Sequence, residues 1–222
     1  PLGNRYICVF VEGASRHIFC YPLKTQDSAT VAACASHLFG IIGYPKYFQS
    51  DQGSCFIGSP FQSLLRRYNI RHRRSSAYNP QAGGCVERAV QTVTKQLRKM
   101  CVQRDATMWE AYLGQIVGQY NSTTQSSTKL PPAIVLFGRL PRLPLHVVLR
   151  PHAPEQVSQS EDGSGPSEPA SLDENIGDRL AAQQARVQEA LTNLRKAQEK
   201  QVQRYAERKG LATPKVQLHE GQ

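Results

Sequence analysis

Two carboxylates stand out in a chain short of acids. Asp51 lies in "SDQGSCF" (Ser50–Phe56) and Glu87 in "YNPQAGGCVER" (Tyr78–Arg88), with 35 residues between them. Asp51 reads as the end of a strand, with Gly53 letting the backbone turn away. Glu87 reads as part of the first turn of a helix that comes after Gly83-Gly84. Both positions hold a side chain in the open on a rigid element. An Asp and a Glu so placed can share Mg²⁺ or Mn²⁺, because hard cations prefer oxygen ligands. Two such ions roughly 3.5–4 Å apart can activate an attacking oxygen and stabilise a leaving one, which is the chemistry of phosphoryl transfer. Taken singly, each acid is equally well read as a solvated surface group or, for Glu87, as a charge favoured near a helix N-terminus.

The charge around them is basic. The 222 residues carry a net charge of +10, unevenly spread. Residues 1–154 hold 18 Lys/Arg against six Asp/Glu, and residues 155–222 hold nine against eleven. A basic folded part attracts polyanions, nucleic acid first; a basic surface with no partner is the alternative. Arg66, Arg67, Arg71, Arg73 and Arg74 precede the Tyr78 loop, and Lys95, Arg98, Lys99 and Arg104 come after it. Glu87, Gln91, Thr94 and Arg98 recur at helical spacing, so they share a face that could lie along a phosphate backbone.

Other chemistries find little support. The six cysteines form no CxxC pair, which gives no zinc site and no disulfide framework, and they read as reduced and buried. The six histidines lack ligand spacing. No run of 18 apolar residues is present to span a membrane. The opening "PLGNRYICVFV" shows no signal-peptide pattern and reads as a chain entered in its middle.

The elements that must position the acids can be read from pattern. Residues 5–12 and 16–23 are β-branched and aromatic around a "GAS" turn, a hairpin. Residues 27–43 read as a helix, 45–51 as a strand, 59–68 as a helix and 69–76 as a strand. Residues 77–84 read as a loop. Residues 85–103 read as an amphipathic helix with Val86, Val90, Val93, Leu97 and Met100 or Cys101 inward, and 107–123 as a further helix. This order implies an α/β sheet of mixed strand direction over a domain of residues 1–125. Residues 126–154 form a Pro-rich, irregular extension, and 155–171 a disordered acidic linker. Residues 172–209 read as one long helix whose ragged apolar stripe suits docking or self-pairing better than a strict coiled coil, and 210–222 as a disordered tail.

"SDQGSCF", then 35 residues, then "VER" within "YNPQAGGCVER" resembles the catalytic core of retroviral and retrotransposon integrases, the Ty3/gypsy class most closely. "YICVFVEGASRHIFCYPLKTQDSATV" looks like that family's central hairpin and first helix. "FGRLPRLPL" (137–145) and the tail helix are similar to the segments that come after the core in gypsy-type elements. The resemblance covers about residues 3–209. It implies an RNase H-like mixed sheet flanked by helices. It also implies 3′-end processing and strand transfer of DNA, with two Mg²⁺ or Mn²⁺ ions held by an Asp-Asp-Glu triad. Asp51 matches the second carboxylate and Glu87 the third. The first belongs to a strand before the hairpin, which is missing here, so this chain is expected to be inactive or weak. Glu12 is a minor metal candidate, because it aligns with a family Asp that is not a ligand. Arg73, Arg74, Tyr78, Gln81, Arg88, Lys95 and Arg98 would contact DNA. The chain departs from the family pattern at Asn79, Gly83, Val90, Gln91 and Thr94; neutral Gln91 and Thr94 should weaken phosphate contacts. The resemblance further implies DNA as partner, a homo-oligomer of at least two copies, no membrane, and action in the nucleus. The alternative reading is a domesticated, non-catalytic module that binds nucleic acid or protein, with the linker and long helix as a partner-binding arm.

Overall fold

A computed structural model describes residues 3–74, 80–141 and 172–209, with the side chains of 80–83, 172–176 and 208–209 left out. The readings placed on Tyr78, on the linker 155–171 and on the tail 210–222 therefore lie outside the described residues. The chain divides into two compact units, one of Pro1–Glu12 with His17–Tyr120, the other of Gly13–Arg16 with Asn121–Gln222.

The first unit is built around a hairpin. Tyr6–Val11 (β1) and Ile18–Leu23 (β2) pair antiparallel from Tyr6↔Leu23 to Val11↔Ile18. Side chains of a strand alternate between its faces. Cys8, Phe10, Phe19, Tyr21 and Leu23 accordingly enter one core, and Ile7, Val11, Ile18 and Cys20 enter another. The first core is completed by Ser28–Ile42 (α1), through Val31, Ala35, Leu38 and Phe39. Cys55 of the single turn Ser54–Ile57 (α2) and Phe61 and Leu65 of Ser59–Arg67 (α3) complete it. The second is completed by Ala89 and Val93 of Pro80–Gln103 (α4) and by Leu113 and Ile116 of Trp109–Ser122 (α5). The hairpin is thus the middle of three layers. Ile18 is wholly buried; truncating such a side chain to Ala costs about 2–5 kcal/mol.

Asp27 starts α1 as its N-cap, accepting from the Thr30 amide at 2.9 Å, from the Thr30 hydroxyl at 2.7 Å and from the Thr25 hydroxyl. Those bonds, the Thr25 one foremost, hold its carboxyl well below the usual range. Tyr47–Ser50 (β3) pairs with Arg71–Arg74 (β4) in parallel, the two strands being joined through α2 and α3. The α/β class with strands of both directions is present. Among the described residues, though, the sheet comes as two two-stranded ladders rather than one. Phe10 and Phe48 bridge them edge-on, with ring centroids 6.1 Å apart.

Three local readings are corrected. The helix expected from residue 85 begins at Pro80. Proline has no N–H to leave unpaired in a helix's first turn, and the helix then runs through Gly83 and Gly84. Within α4, Val86 and Val90 are exposed, and the inward stripe is Ala89, Val93, Leu97 and Met100. The small Ala89 side chain lets the helix sit close to Ile18 of the hairpin. The stretch expected to be irregular after residue 124 contains a helix, Pro132–Phe137 (α6), again opened by prolines.

In the second unit, Leu172–Lys209 is one helix (α7) and packs against α6. Gln183 Nε2 donates to the Val135 carbonyl at 2.6 Å and Arg186 Nη1 to the Gly138 carbonyl at 2.9 Å. Asn193 Nδ2 donates to the Thr128 carbonyl at 2.9 Å, while Ala190 and Leu194 are buried. Polar side chains thus satisfy carbonyls in and around the short helix α6 beside the buried apolar residues of both helices. No helix among the described residues is long and apolar enough to cross a membrane.

The close approach of α1 and α3 predicts opposite outcomes for two glycines. A Cβ at Gly58 would lie 2.5 Å from the Cβ and Oγ of Ser28, whose hydroxyl accepts the Phe61 amide of α3 at 3.2 Å. A Cβ at Gly40, inside α1, would meet nothing within 4 Å. Gly58→Ala should destabilise by about 1–3 kcal/mol through overpacking. Gly40→Ala should stabilise by up to about 1 kcal/mol through helix propensity. Urea denaturation of the two variants beside the parent measures both.

Candidate active site

Asp51 comes directly after the C-terminal end of β3 and is exposed. Crevices at the carboxyl ends of parallel strands are where α/β sheets gather ligands. The Asp51 side chain folds back in a tight turn, Oδ1 accepting the Gly53 amide at 3.0 Å. A Cβ on Gly53 would sit 3.0 Å from that same oxygen, so a side chain there would press the carboxylate aside by a few tenths of an ångström. The carboxylate also acts on its surroundings. Burial first, then the Asp51 charge, push the Cys55 thiol upward.

A hydrogen-bonded chain behind Asp51 fixes its backbone. Gln62 of α3 places Nε2 2.6 Å from the Phe56 carbonyl and 2.9 Å from His72 Nδ1. A carbonyl only accepts, so the amide must turn its NH₂ to Phe56, and the same nitrogen then donates to Nδ1. The His72 proton is thereby assigned to Nε2, which donates to Ser50 Oγ at 2.9 Å; the Ser50 hydroxyl donates to the Asp51 carbonyl at 2.7 Å. Every link in this chain is satisfied only while His72 is neutral. Burial first, and then the Arg74 charge, lower its pKa below the ordinary 6.5. Residue-by-residue reading missed Gln62 and His72. The available signal was a lone histidine in an arginine-rich strand two residues before Arg74.

Glu87 stands on α4, eight residues into the helix rather than in its first turn, and is exposed. Arg88, Lys95 and Arg98 are exposed on the same helix, and Arg88 Nε donates to the Gly84 carbonyl at 2.9 Å. Gln91 is exposed and Thr94 half-buried, as expected of an outward face. Gln81 lies in the first turn of α4, with its side chain among those left out, and Tyr78 lies outside the described residues. Arg73 and Arg74 are brought beside Asp51's strand, in register with Gln49 and Ser50. Glu12 instead comes directly after β1, its amide donating to the His17 carbonyl at 2.8 Å. Burial pushes His17 down to about 4, against the pull of the Glu12 charge.

Asp51 and Glu87 offer carboxylate oxygens, the donor type a hard divalent cation takes. Among the described residues, no group of three or more His, Cys, Asp or Glu gathers to hold one. The two carboxylates suit such an ion by donor type alone, since the described residues gather no set of three around either.

Residues 1–80, which include the Asp51 turn, match the integrase core domain. The feline foamy virus Pro-Pol polyprotein is 33% identical over 136 residues, 61% of this chain and 12% of its own length. The woolly monkey sarcoma virus Gag-Pol polyprotein is 32% identical over 142 residues, 63% of this chain and 8% of its own. The first 80 residues are thus similar to an integrase core, and the chain is similar to retroviral Pol polyproteins. Solved structures agree on the fold. The catalytic core domain of BIV integrase has a TM-score of 0.51 at 23% identity, covering 60% of this chain and 85% of its own. The simian T-cell lymphotropic virus intasome in complex with the PP2A regulatory subunit B56 gamma has a TM-score of 0.54 at 22% identity, covering 61% of this chain and 50% of its own. The fold is the RNase H-like fold of integrase cores. The chain spans about a tenth of the two polyproteins it matches.

The His72 chain makes a pH prediction with a definite sign. A folded-state pKa below the unfolded value means that stability is full above about 6.5 and falls as pH drops through the lowered value. Nitrogen NMR of the imidazole should show the Nε2–H tautomer at neutral pH and titration below 6.5, with the Asp51 amide shifting in step. A Nδ1–H tautomer would contradict the assignment.

Proposed function

We propose that this integrase core serves DNA integration, with Asp51 and Glu87 as two of the carboxylates that hold Mg²⁺ or Mn²⁺. The bound ions would supply charge neutralisation at the scissile phosphate and activation of the attacking oxygen. This chain's own residues do the rest. Gly53 and the Gln62–His72–Ser50 chain hold Asp51 at the strand end. Arg73, Arg74, Arg88, Lys95 and Arg98 would neutralise DNA phosphates, with Tyr78 and Gln81 at the DNA end. The observation that carries the reading is the Asp51 turn at the open end of a parallel ladder, inside the segment that matches the integrase core. The resemblance implies a third carboxylate in the metal-binding set, of which Asp51 and Glu87 supply two. Two or more copies acting on DNA in the nucleus belong to the same reading, as does a gypsy-type origin.

A second reading, a domesticated module that binds without chemistry, is favoured by one feature. Val86 and Val90, 37% and 40% exposed, flank Glu87 with apolar surface where a phosphate contact would be useful. Under it, DNA binding depends on salt but not on divalent metal.

Manganese titration separates the readings. If the two acids share an ion, Asp51→Asn and Glu87→Gln each weaken Mn²⁺ binding about tenfold, and the double variant weakens it little further, since coupled sites are non-additive. Additive or absent effects contradict sharing. Strand transfer by the chain alone, at a rate that Asp51→Asn abolishes, would contradict the need for a third carboxylate.

A further inference from the structure

The outward face of the β3–β4 ladder carries a feature that the proposed chemistry does not use. The parallel register sets Tyr47 beside Arg71 and Gln49 beside Arg73. The Arg73 guanidinium carbon lies over the Tyr47 ring, 3.7 Å from its centroid, and that of Arg71 lies 5.9 Å away. Just ahead of the ladder, Tyr44 and Tyr68 stack at 4.3 Å and 29°, with the Arg67 guanidinium 5.6 Å from the Tyr68 ring. The main chain ties the two groups together, the Arg71 amide donating to the Lys46 carbonyl at 3.0 Å. Tyr44 is 53% exposed and Tyr47 36%.

The charge balance is one-sided. Between Tyr44 and Arg74 stand Lys46, Arg66, Arg67, Arg71, Arg73 and Arg74 against one acid, Asp51. Among the described residues, none of these six cations is paired with a carboxylate. Tying β3 to β4 would account for Arg73 on Tyr47. It does not account for exposed Tyr44 stacked on half-buried Tyr68 or, among the described residues, for cations on both sides that meet no carboxylate.

An arginine lying on a tyrosine keeps its N–H donors at the rim and presents a second flat face. Open aromatic and guanidinium faces stack on any base, while neighbouring cations neutralise the connecting phosphates. Bases within a duplex are already stacked on one another and do not offer that face. We propose that the Tyr44–Tyr47–Tyr68 surface, with Arg67, Arg71 and Arg73, binds single-stranded nucleic acid by stacking unpaired bases. This site does not depend on the metal chemistry at Asp51 and Glu87. It recasts Arg73 as part of a stacking platform rather than a phosphate contact alone.

The test is fluorescence anisotropy with the full chain, using a short oligothymidylate and a duplex of equal length. Tyr47→Leu should weaken oligothymidylate binding about tenfold, the scale of one lost base stack. It should leave duplex binding and the salt dependence unchanged, and Tyr47→Phe should restore the loss. Tyr44→Leu, at the more exposed ring, should act the same way and serves if Tyr47→Leu does not fold. Lys46→Gln should weaken both ligands alike. The proposal is overturned if the leucine variants leave oligothymidylate binding unchanged, or weaken single strand and duplex equally.

Discussion

The first unit depends on burying both faces of the β1–β2 hairpin. A two-stranded ribbon has no independent stability in water and needs apolar cover. Here α1 and α3 cover one face and α4 and α5 the other. The two acids of the candidate site belong to different covers. β3, which leads to Asp51, joins the first core through Phe48, and α4, which carries Glu87, joins the second through Ala89 and Val93. The hairpin is the element common to both cores, so its packing governs whatever geometry the acids adopt.

Precision at Asp51 comes from polar bonds laid over that apolar frame. Gly53 takes one carboxylate oxygen and Ser50 takes the main-chain carbonyl. His72 and Gln62 anchor Ser50 to β4 and α3. A strand of four residues has few ladder bonds of its own, so side-chain bonds from two neighbouring elements matter more here than in a longer strand. The arrangement resembles a site built on rigid elements and braced from behind.

Much of this was legible in the sequence. The hairpin and α1 emerge from alternation and capping, because those signals are local. Features that rest on pairing distant segments were not legible. The Tyr47–Arg73 stack and the Ser50–His72 bond need the parallel register of β3 and β4, which periodicity does not reveal. Val86 and Val90 matched a helical stripe as well as the true one did, and only packing against Ile18 selected Ala89 and Val93. α7 buries Ala190 and Leu194, and adds Gln183, Arg186 and Asn193, which dock by hydrogen bonds that a hydrophobic pattern does not register.

The central claim is that Asp51 and Glu87 grip the same divalent cation. Crystals of the chain soaked in manganese and measured at its absorption edge address it most directly. The account predicts an anomalous peak bonded to oxygens of both side chains. A peak on one carboxylate alone, with the other turned away in every copy, would contradict it.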